Sequence, residues 1–270
     1  MTHKIINGKY GEVHYWISEK KENTILFIHG ALMDHNLFKE QVSYFSKDYT
    51  VITVDVPWHG LSQPYNSFSL KNAADDIVKI LDIEKIDFVH FVGQSMGGLI
   101  AQIIALQHPS KVKSLTVIGS APMQPKYYKK ETNLRFERFV ISLFPYNFLV
   151  KSMAKKVAES KQGQDYIFEV MKQHTKSKLL EIMKKVAADA LNCLNESILD
   201  TPILITYGDN DKTANIQEYC KRWAELENRE LKVIENASHS ANLDNPKMFN
   251  AVLSSFLKNI KTVPNKRYKQ

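Results

Sequence analysis

One stretch of six residues, GQSMGG at positions 93–98, constrains the fold of this chain more than any other. It follows the apolar run 88–92, which is typical of a buried strand, and precedes the apolar segment 99–106, which is typical of a buried helix. Ser95 then occupies a tight turn between strand and helix. The residues two positions before and after it are glycines, because larger side chains there would collide. The turn directs the Ser95 hydroxyl out of the sheet edge, beside the first N–H groups of the helix.

The pattern G-x-S-x-G between a strand and a helix is that of a nucleophile elbow, in which the serine hydroxyl attacks the substrate. A dinucleotide-binding turn is one alternative. Its pattern G-x-G-x-x-G needs glycine at positions 93, 95 and 98, and a side chain at 95 hinders the approach of a pyrophosphate. A chance match in a loop is the other alternative, and the apolar segments on both sides argue against it. The sequence therefore favours Ser95 as a nucleophile.

Segments typical of strands alternate with segments typical of helices along most of the chain. Strands are expected at 11–18, 24–28, 49–54, 88–92, 112–118, 202–207 and 231–234, and helices at 36–46, 70–82, 99–106, 214–226 and 246–260. Segment 11–18 is interpreted as an edge strand. The alternation of short buried strands with helices predicts an α/β fold, with a mostly parallel sheet and helices on both faces.

This alternation stops between residues 122 and 200, where apolar residues recur at helical spacing and no convincing strand is found. We therefore expect a core formed by residues 1–121 and 201–270, and an all-helical cap, or lid, formed by residues 122–200. Because the insertion follows the strand next to the elbow strand, we expect it to cover Ser95 and to line an apolar pocket for an acyl group. Large apolar side chains of this segment include Tyr127, Tyr128, Phe136, Phe139, Phe144, Tyr146, Phe148, Met153, Phe168, Met171 and Met183.

A serine hydroxyl is a weak nucleophile unless a base removes its proton, and the base is usually a histidine oriented by a carboxylate. His239 lies after the last expected strand, at the carboxyl edge where open α/β sheets place their sites. The expected carboxylate follows the preceding strand, where Asp209 and Asp211 are both candidates. We favour Asp211, because the carboxylate must reach across to the histidine, and we assign Asp209 to the turn itself.

The tetrahedral intermediate of acyl transfer also needs hydrogen-bond donors for its oxyanion. The expected oxyanion hole consists of the backbone N–H groups of Met96, directly after Ser95, and of Ala31, directly after a His-Gly pair. His29 and His59 lie in glycine turns, and we expect both to make structural hydrogen bonds rather than to act in catalysis.

Composition argues against several other classes of function. No segment reaches 18 uninterrupted apolar residues and the N-terminal residues lack a signal-like apolar core, so no membrane span is predicted. The two cysteines, Cys193 and Cys220, do not form a disulfide framework, which fits a reducing cytoplasm. The net charge of +7 comes from 31 lysines and only 5 arginines, which argues against nucleic-acid recognition. No metal-ligand or phosphate-loop motif suggests a metal or cofactor, and the expected partner is a small-molecule ester substrate.

Five groups of residues along the chain form a set with a known precedent. They are His29-Gly30, Asp55-x-Pro57-x-x-Gly60-x-Ser62, Gly93-x-Ser95-x-Gly97-Gly98, Gly208-x-x-Asp211 and His239. The set resembles the α/β-hydrolase superfamily, with a helical cap inserted after the sixth strand. Two departures are visible: Trp58 replaces a glycine common after the proline, and Ser238 replaces a glycine common before the histidine. Neither departure removes a catalytic group.

The resemblance implies a serine hydrolase that cleaves a small carboxylic ester or thioester through an acyl-enzyme at Ser95. One alternative uses the same triad, Ser95, Asp211 and His239, for cleavage of a carbon–carbon bond, a lactone or a peptide, or for elimination. An alternative from a different class is a ligand-sensing protein that keeps a slow hydrolase site and signals through its cap. The rate of turnover separates these classes, because a sensor would hydrolyse its ligand very slowly or only once.

Overall fold

The computed structural model of the protein describes residues 1–127 and 145–260. Its strands are β1 (Thr2–Asn7), β2 (Glu12–Ile17), β3 (Thr24–Ile28), β4 (Thr50–Val54), β5 (Val89–Gln94), β6 (Val112–Ile118), β7 (Ile203–Gly208) and β8 (Glu230–Ile234). They form one sheet in the order β1-β2-β4-β3-β5-β6-β7-β8. Strand β2 pairs antiparallel with both β1 and β4, and every other pair of neighbours is parallel. The predicted mostly parallel sheet is therefore confirmed.

Helices connect these strands. In the described part of the chain they are α1 (Lys39–Phe45), α2 (Leu70–Glu84), α3 (Met96–Gln107), α4 (Tyr146–Val157), α5 (Lys161–Lys172), α6 (Lys176–Asn192), α7 (Ile216–Glu227), α8 (Ala241–Asp244) and α9 (Pro246–Asn259). Helix α2 begins after Ser69, whose hydroxyl accepts a hydrogen bond from the Asn72 N–H at 3.0 Å. Such a cap satisfies one of the N–H groups that a helix leaves unpaired at its start.

Strand β3 shows why the sheet needs helices on both faces. All five of its residues are buried. Leu26 and Ile28 belong to one apolar cluster, and Ile25 and Phe27 belong to another, because successive side chains of a strand point to opposite faces. The first cluster contains residues of α2, α3 and α7, and the second contains residues of α1 and α9. Helices therefore cover both faces, as the sequence predicts.

The N-terminal region differs from the prediction. Segment 11–18 is not an edge strand: β2 lies inside the sheet, and β1, which the sequence analysis did not identify, forms the edge. Five of the six residues of β1 are exposed and only Ile6 is buried, so the strand carries almost no apolar periodicity. Strand β1 is therefore formed by backbone pairing with β2 and not by burial of the β1 side chains. The short helix α8 was also not predicted.

Between β6 and β7 the chain forms α4, α5 and α6, and no strand occurs in the part of this segment that the structure describes. Buried residues of these helices, such as Leu149, Ile167 and Leu179, join the apolar cluster that contains α1 and α9. Four of the apolar side chains expected to line a pocket lie outside the described residues: Tyr128, Phe136, Phe139 and Phe144.

Candidate active site

Ser95 occupies the turn between β5 and α3, with φ of 50° and ψ of −113°. A positive φ is unusual for a residue with a side chain and marks local strain. The glycines on either side make the turn possible. A Cβ atom added at Gly93 would lie 2.4 Å from the carbonyl carbon of Gly97, and one added at Gly97 would lie 2.0 Å from the Ile28 carbonyl oxygen. Neither position can carry a side chain without displacing backbone atoms.

The end of β6 holds this turn in place from the neighbouring strand. The Ser95 N–H donates to the Ile118 carbonyl at 2.9 Å. The Ser120 hydroxyl donates to the Ser95 carbonyl at 2.8 Å. Both backbone polar groups of Ser95 are therefore bonded to one short segment, which stabilises the strained conformation.

His239 and Asp211 are in contact at the same edge of the sheet. His239 lies in the loop after β8, Asp211 lies in the loop after β7, and the distance from His239 Nδ1 to Asp211 Oδ2 is 2.8 Å. Both residues are buried, with 6% and 5% of their surface exposed. The other oxygen of Asp211 accepts the Thr213 N–H at 2.8 Å.

The charge state of Asp211 decides which histidine nitrogen is free. Burial alone would raise the pKa of the Asp211 carboxyl, but the hydrogen bond and charge of His239, together with hydrogen bonds from Thr213, outweigh burial and lower that pKa from its ordinary value. Asp211 is therefore ionised near neutral pH. Because a carboxylate only accepts hydrogen bonds, His239 Nδ1 carries the hydrogen, and its Nε2 is left as a proton acceptor.

Asp209 has a different position from Asp211. Its Oδ1 accepts the Ala237 N–H at 3.0 Å. Hydrogen bonds from backbone N–H groups, the one from Ala237 foremost, lower the pKa of its carboxyl. Of the two candidate carboxylates, Asp211 lies against His239. Asp209 lies in the turn directly after β7 and is hydrogen-bonded to the loop after β8.

Two residues that the sequence analysis did not single out lie close to His239. Gln94, directly before Ser95, donates from its side-chain nitrogen to the His239 carbonyl at 3.1 Å. Gly119 has a φ of +55°, and a Cβ atom there would lie 2.9 Å from His239 Nδ1 and 3.2 Å from Asp211 Oδ2. A glycine directly after a strand at the carboxyl edge is a signal that could have identified Gly119. The side-chain bond of Gln94 has no signal in the sequence.

The two expected oxyanion donors are Met96, within the elbow, and Ala31, in the loop after β3. Met96 is the first residue of α3. The N–H group at this position has no hydrogen-bond acceptor within the helix. Ala31 follows Gly30, at which an added Cβ atom would lie 1.9 Å from the side-chain oxygen of Gln94. The loop that carries Ala31 therefore packs against the side chain of Gln94 in the elbow, and a side chain at position 30 would require Gln94 to move.

His29 and His59 make the structural hydrogen bonds that the sequence predicts. Nε2 of His29 accepts the Val56 N–H at 2.9 Å, and Nδ1 lies 2.7 Å from the Gly30 carbonyl. Nδ1 of His59 lies 3.0 Å from the Pro57 carbonyl. Burial lowers the pKa of both imidazoles, so both are neutral near pH 7.

Trp58, one of the two departures from the superfamily pattern, adopts the left-handed backbone conformation in which glycine is usual, with a φ of 73°. Its indole N–H donates to the Tyr65 carbonyl at 2.6 Å. The Lys178 ammonium of α6 lies 3.4 Å from its ring centroid. The side chain thus connects the loop after β4 to a helix of the inserted segment.

Residues 1–127 and 145–260 contain no cluster of three or more histidine, cysteine, aspartate or glutamate side chains arranged to hold a metal ion. In the same ranges, none of the helices combines the length and apolar character needed to cross a membrane.

Known proteins share this architecture. A sequence model described as the alpha/beta hydrolase fold matches residues 23–246. The 3-oxoadipate enol-lactonase 1 of Acinetobacter baylyi is 28% identical over 244 residues, which cover 87% of this chain and 89% of that enzyme. The putative esterase/lipase 2 of Mycoplasma genitalium is 24% identical over 267 residues, covering 94% of this chain and 96% of that protein. The crystal structure of a bromoperoxidase from Bacillus anthracis superposes with a TM-score of 0.81 at 22% identity, covering 96% of this chain and 100% of the other. Since the family match spans most of the chain, this protein belongs to the α/β-hydrolase family.

Proposed function

We propose that this protein is a serine hydrolase that cleaves a small carboxylic ester or thioester through an acyl-enzyme at Ser95. The observation that carries the proposal is the buried contact of 2.8 Å between His239 Nδ1 and Asp211. The carbonyl of this histidine accepts a hydrogen bond from the side chain of Gln94, the residue directly before Ser95. These three side chains supply a nucleophile, a base and an orienting carboxylate.

The proposed reaction has two halves. His239 Nε2 takes the proton of the Ser95 hydroxyl while its oxygen attacks the substrate carbonyl carbon. The N–H groups of Met96 and Ala31 stabilise the resulting oxyanion. As the intermediate collapses, the bond to the alcohol or thiol breaks and His239 gives the leaving group its proton. Water then attacks the acyl-enzyme, again with His239 as the base, and releases the carboxylic acid and the free serine.

Asp211 acts through His239 in this mechanism. Its ionised carboxylate keeps the hydrogen on Nδ1 and stabilises the imidazolium that forms when Nε2 takes the serine proton. The lowered pKa of Asp211 means that the carboxylate does not itself become protonated during this step. His239 therefore carries the proton from the nucleophile to the leaving group.

The names of the relatives favour an ester bond as the target. An enol-lactonase and an esterase/lipase are among them, and further relatives are named monoacylglycerol lipase and pimeloyl-[acyl-carrier protein] methyl ester esterase. The enol-lactonase favours a second candidate activity, opening of a lactone by the same three residues. In that reaction the leaving alcohol stays attached to the product acid.

We further propose that residues 122–200 form a cap over a core of residues 1–121 and 201–270. The support is the position of α4, α5 and α6 between β6 and β7, and their contacts with loops at the carboxyl edge of the sheet. Besides the contact of Lys178 with Trp58, the Tyr166 hydroxyl of α5 donates to Asp34 at 2.8 Å. The cap would then select the acyl group.

Labelling with a serine-directed fluorophosphonate tests the proposal. The reagent should modify Ser95, and hydrolysis of p-nitrophenyl esters of increasing acyl length should be lost on labelling. Ser95→Ala should lower turnover by about 10⁴–10⁶-fold. Ser152→Ala, which changes an exposed serine of α4, is the matched control and should have no effect.

Each other outcome has a clear meaning. Labelling of a different residue, or retained turnover in Ser95→Ala, would refute the nucleophile assignment. A single burst of p-nitrophenol without further turnover would instead mark a sensor. A series of lactones of matched ring size, assayed beside the linear esters, separates the two candidate substrates.

A further inference from the structure

The loop that carries His239 is bonded to the cap on both sides of the histidine. We call residues 235–240 the histidine loop, and residues 156–160, which are the end of α4 and the link from it to α5, the cap junction. The Ser238 hydroxyl donates to the Lys156 carbonyl at 2.8 Å. The Ser240 N–H donates to the Val157 carbonyl at 2.8 Å. Because both serines are buried, water does not readily replace these bonds.

One carboxylate strengthens the same connection. Oδ2 of Asp244 accepts the N–H of Ser238 and the N–H of Glu159, and Oδ1 accepts the N–H of Ser160, each at 2.9 Å. Asp244 thus binds the residue before His239 and two residues of the cap junction at once. Hydrogen bonds to an ionised acceptor are roughly twice as strong as neutral ones. An asparagine at position 244 would have only one side-chain oxygen to accept hydrogen bonds from the three N–H groups.

Asp244 itself is held on the core by its neighbour Asn242. The Asn242 side-chain nitrogen donates to the Leu37 carbonyl at 3.1 Å and lies 3.2 Å from the Gln41 side-chain oxygen. The Gln41 side-chain nitrogen in turn donates to the Asn242 carbonyl at 3.1 Å and to Asn250 at 2.9 Å. This buried network fixes α8, so the Asp244 carboxylate reaches the cap junction from a rigid support.

The second departure from the superfamily pattern belongs to this connection. A glycine at position 238 would have no hydroxyl for the Lys156 carbonyl. Ser238 therefore adds a bond between the histidine loop and the cap that the common residue could not make.

We propose that Asp244 and Ser238 are positioning residues, which hold the cap junction against the histidine loop and so keep His239 in place for proton transfer. The inference rests on the proposed function, since it assigns the base to His239. Its consequence is that the cap acts on the chemical step as well as on the fit of the acyl group. A misplacement of about 1 Å can lower a rate by about 10²-fold, so the loss should appear in kcat rather than in KM.

Kinetics of Asp244→Asn, Ser238→Gly and the double variant test this inference, with kcat expressed per fluorophosphonate-titrated site. We expect Asp244→Asn to lower kcat by about 10–100-fold with KM changed by less than about threefold. Ser238→Gly, the milder change, should lower kcat by a smaller factor. The double variant should lose less than the product of the single losses, because both residues act on one connection. Asp165→Asn, on the exposed face of α5, is the matched control and should keep the wild-type kcat.

Amide hydrogen exchange gives a readout that does not depend on activity. In Asp244→Asn the N–H groups of Glu159 and Ser160 should exchange faster, because each loses its carboxylate acceptor. Faster exchange with kcat per site within about twofold of wild type would overturn the positioning role and leave a purely structural contact. A change in KM alone, or unchanged exchange, would overturn it as well. If the wild-type protein neither reacts with the fluorophosphonate nor hydrolyses esters, the proposed function itself has failed.

Discussion

Replacement of Asp211 by asparagine tests the arrangement of the site most directly. In the native site one oxygen accepts the Thr213 N–H and the other lies against His239 Nδ1, both at 2.8 Å. Asparagine has only one oxygen. If that oxygen stays with Thr213, the amide NH₂ faces Nδ1, and Nδ1 must become the acceptor. The hydrogen then moves to Nε2, which can no longer take the proton of Ser95.

The magnitude follows from the bonds that asparagine cannot make. Turning the amide to restore the reactive tautomer leaves the Thr213 N–H against a donor, which costs about 1–3 kcal/mol. The hydrogen bond from the imidazolium to an ionised carboxylate is also lost, at about 1.5–3 kcal/mol. Together these losses amount to about 2.5–6 kcal/mol, or about 10²–10⁴-fold in kcat/KM.

The assay is hydrolysis of a p-nitrophenyl ester at neutral pH, with thermal unfolding as the check that the fold is intact. Asp209→Asn is the matched control, because its oxygen can still accept the Ala237 N–H, and it should cost less than about tenfold. The reasoning is refuted if Asp209→Asn loses more activity than Asp211→Asn, or if Asp211→Asn retains activity within about tenfold of wild type.

Three further predictions concern the cap and stability. Neutral esters of short to medium acyl chains should be preferred over charged ones, with kcat/KM nearly independent of salt; a steep fall with salt for an anionic ester would instead show steering by lysines. Lys178→Met should lower the free energy of unfolding by about 0.5–1 kcal/mol through loss of the cation over the Trp58 ring, and should have no such effect in a Trp58→Leu background. Burial lowers the pKa of His90 to about 4, so its contribution to stability is present above the unfolded value of about 6.5 and is lost as pH falls from there towards 4. Denaturant titrations should show that His90→Gln loses less free energy of unfolding than the wild type over this pH range, by up to about 3 kcal/mol. An equal loss in both proteins would contradict the prediction.

The sequence by itself determined the parallel part of the sheet and the elbow within it. Strands such as β3 and β5 are short, continuously buried runs, and a strand covered on both faces must be apolar throughout. The elbow was equally readable, because the close approach between Gly93 and Gly97 admits no other residue and leaves a local pattern. Local signals of this kind depend on residues a few positions apart, so they can be read before the chain is folded.

Only the tertiary structure decided what depends on distant partners. Strand β1 has one buried residue, and its pairing with β2 carries no apolar signal. For His239 the sequence analysis had already favoured Asp211 as the partner, from its place after a strand, and the structure supplies the contact across 28 positions. The bond of Gln94 to the His239 carbonyl, which joins residues 145 positions apart, had no such signal. The bond of Asp244 to Glu159 in the cap junction joins residues 85 positions apart, a separation as long as a small domain. A hydrogen bond between such residues imposes no spacing or periodicity on the sequence, and it exists only because the packed sheet brings the loops at its carboxyl edge together.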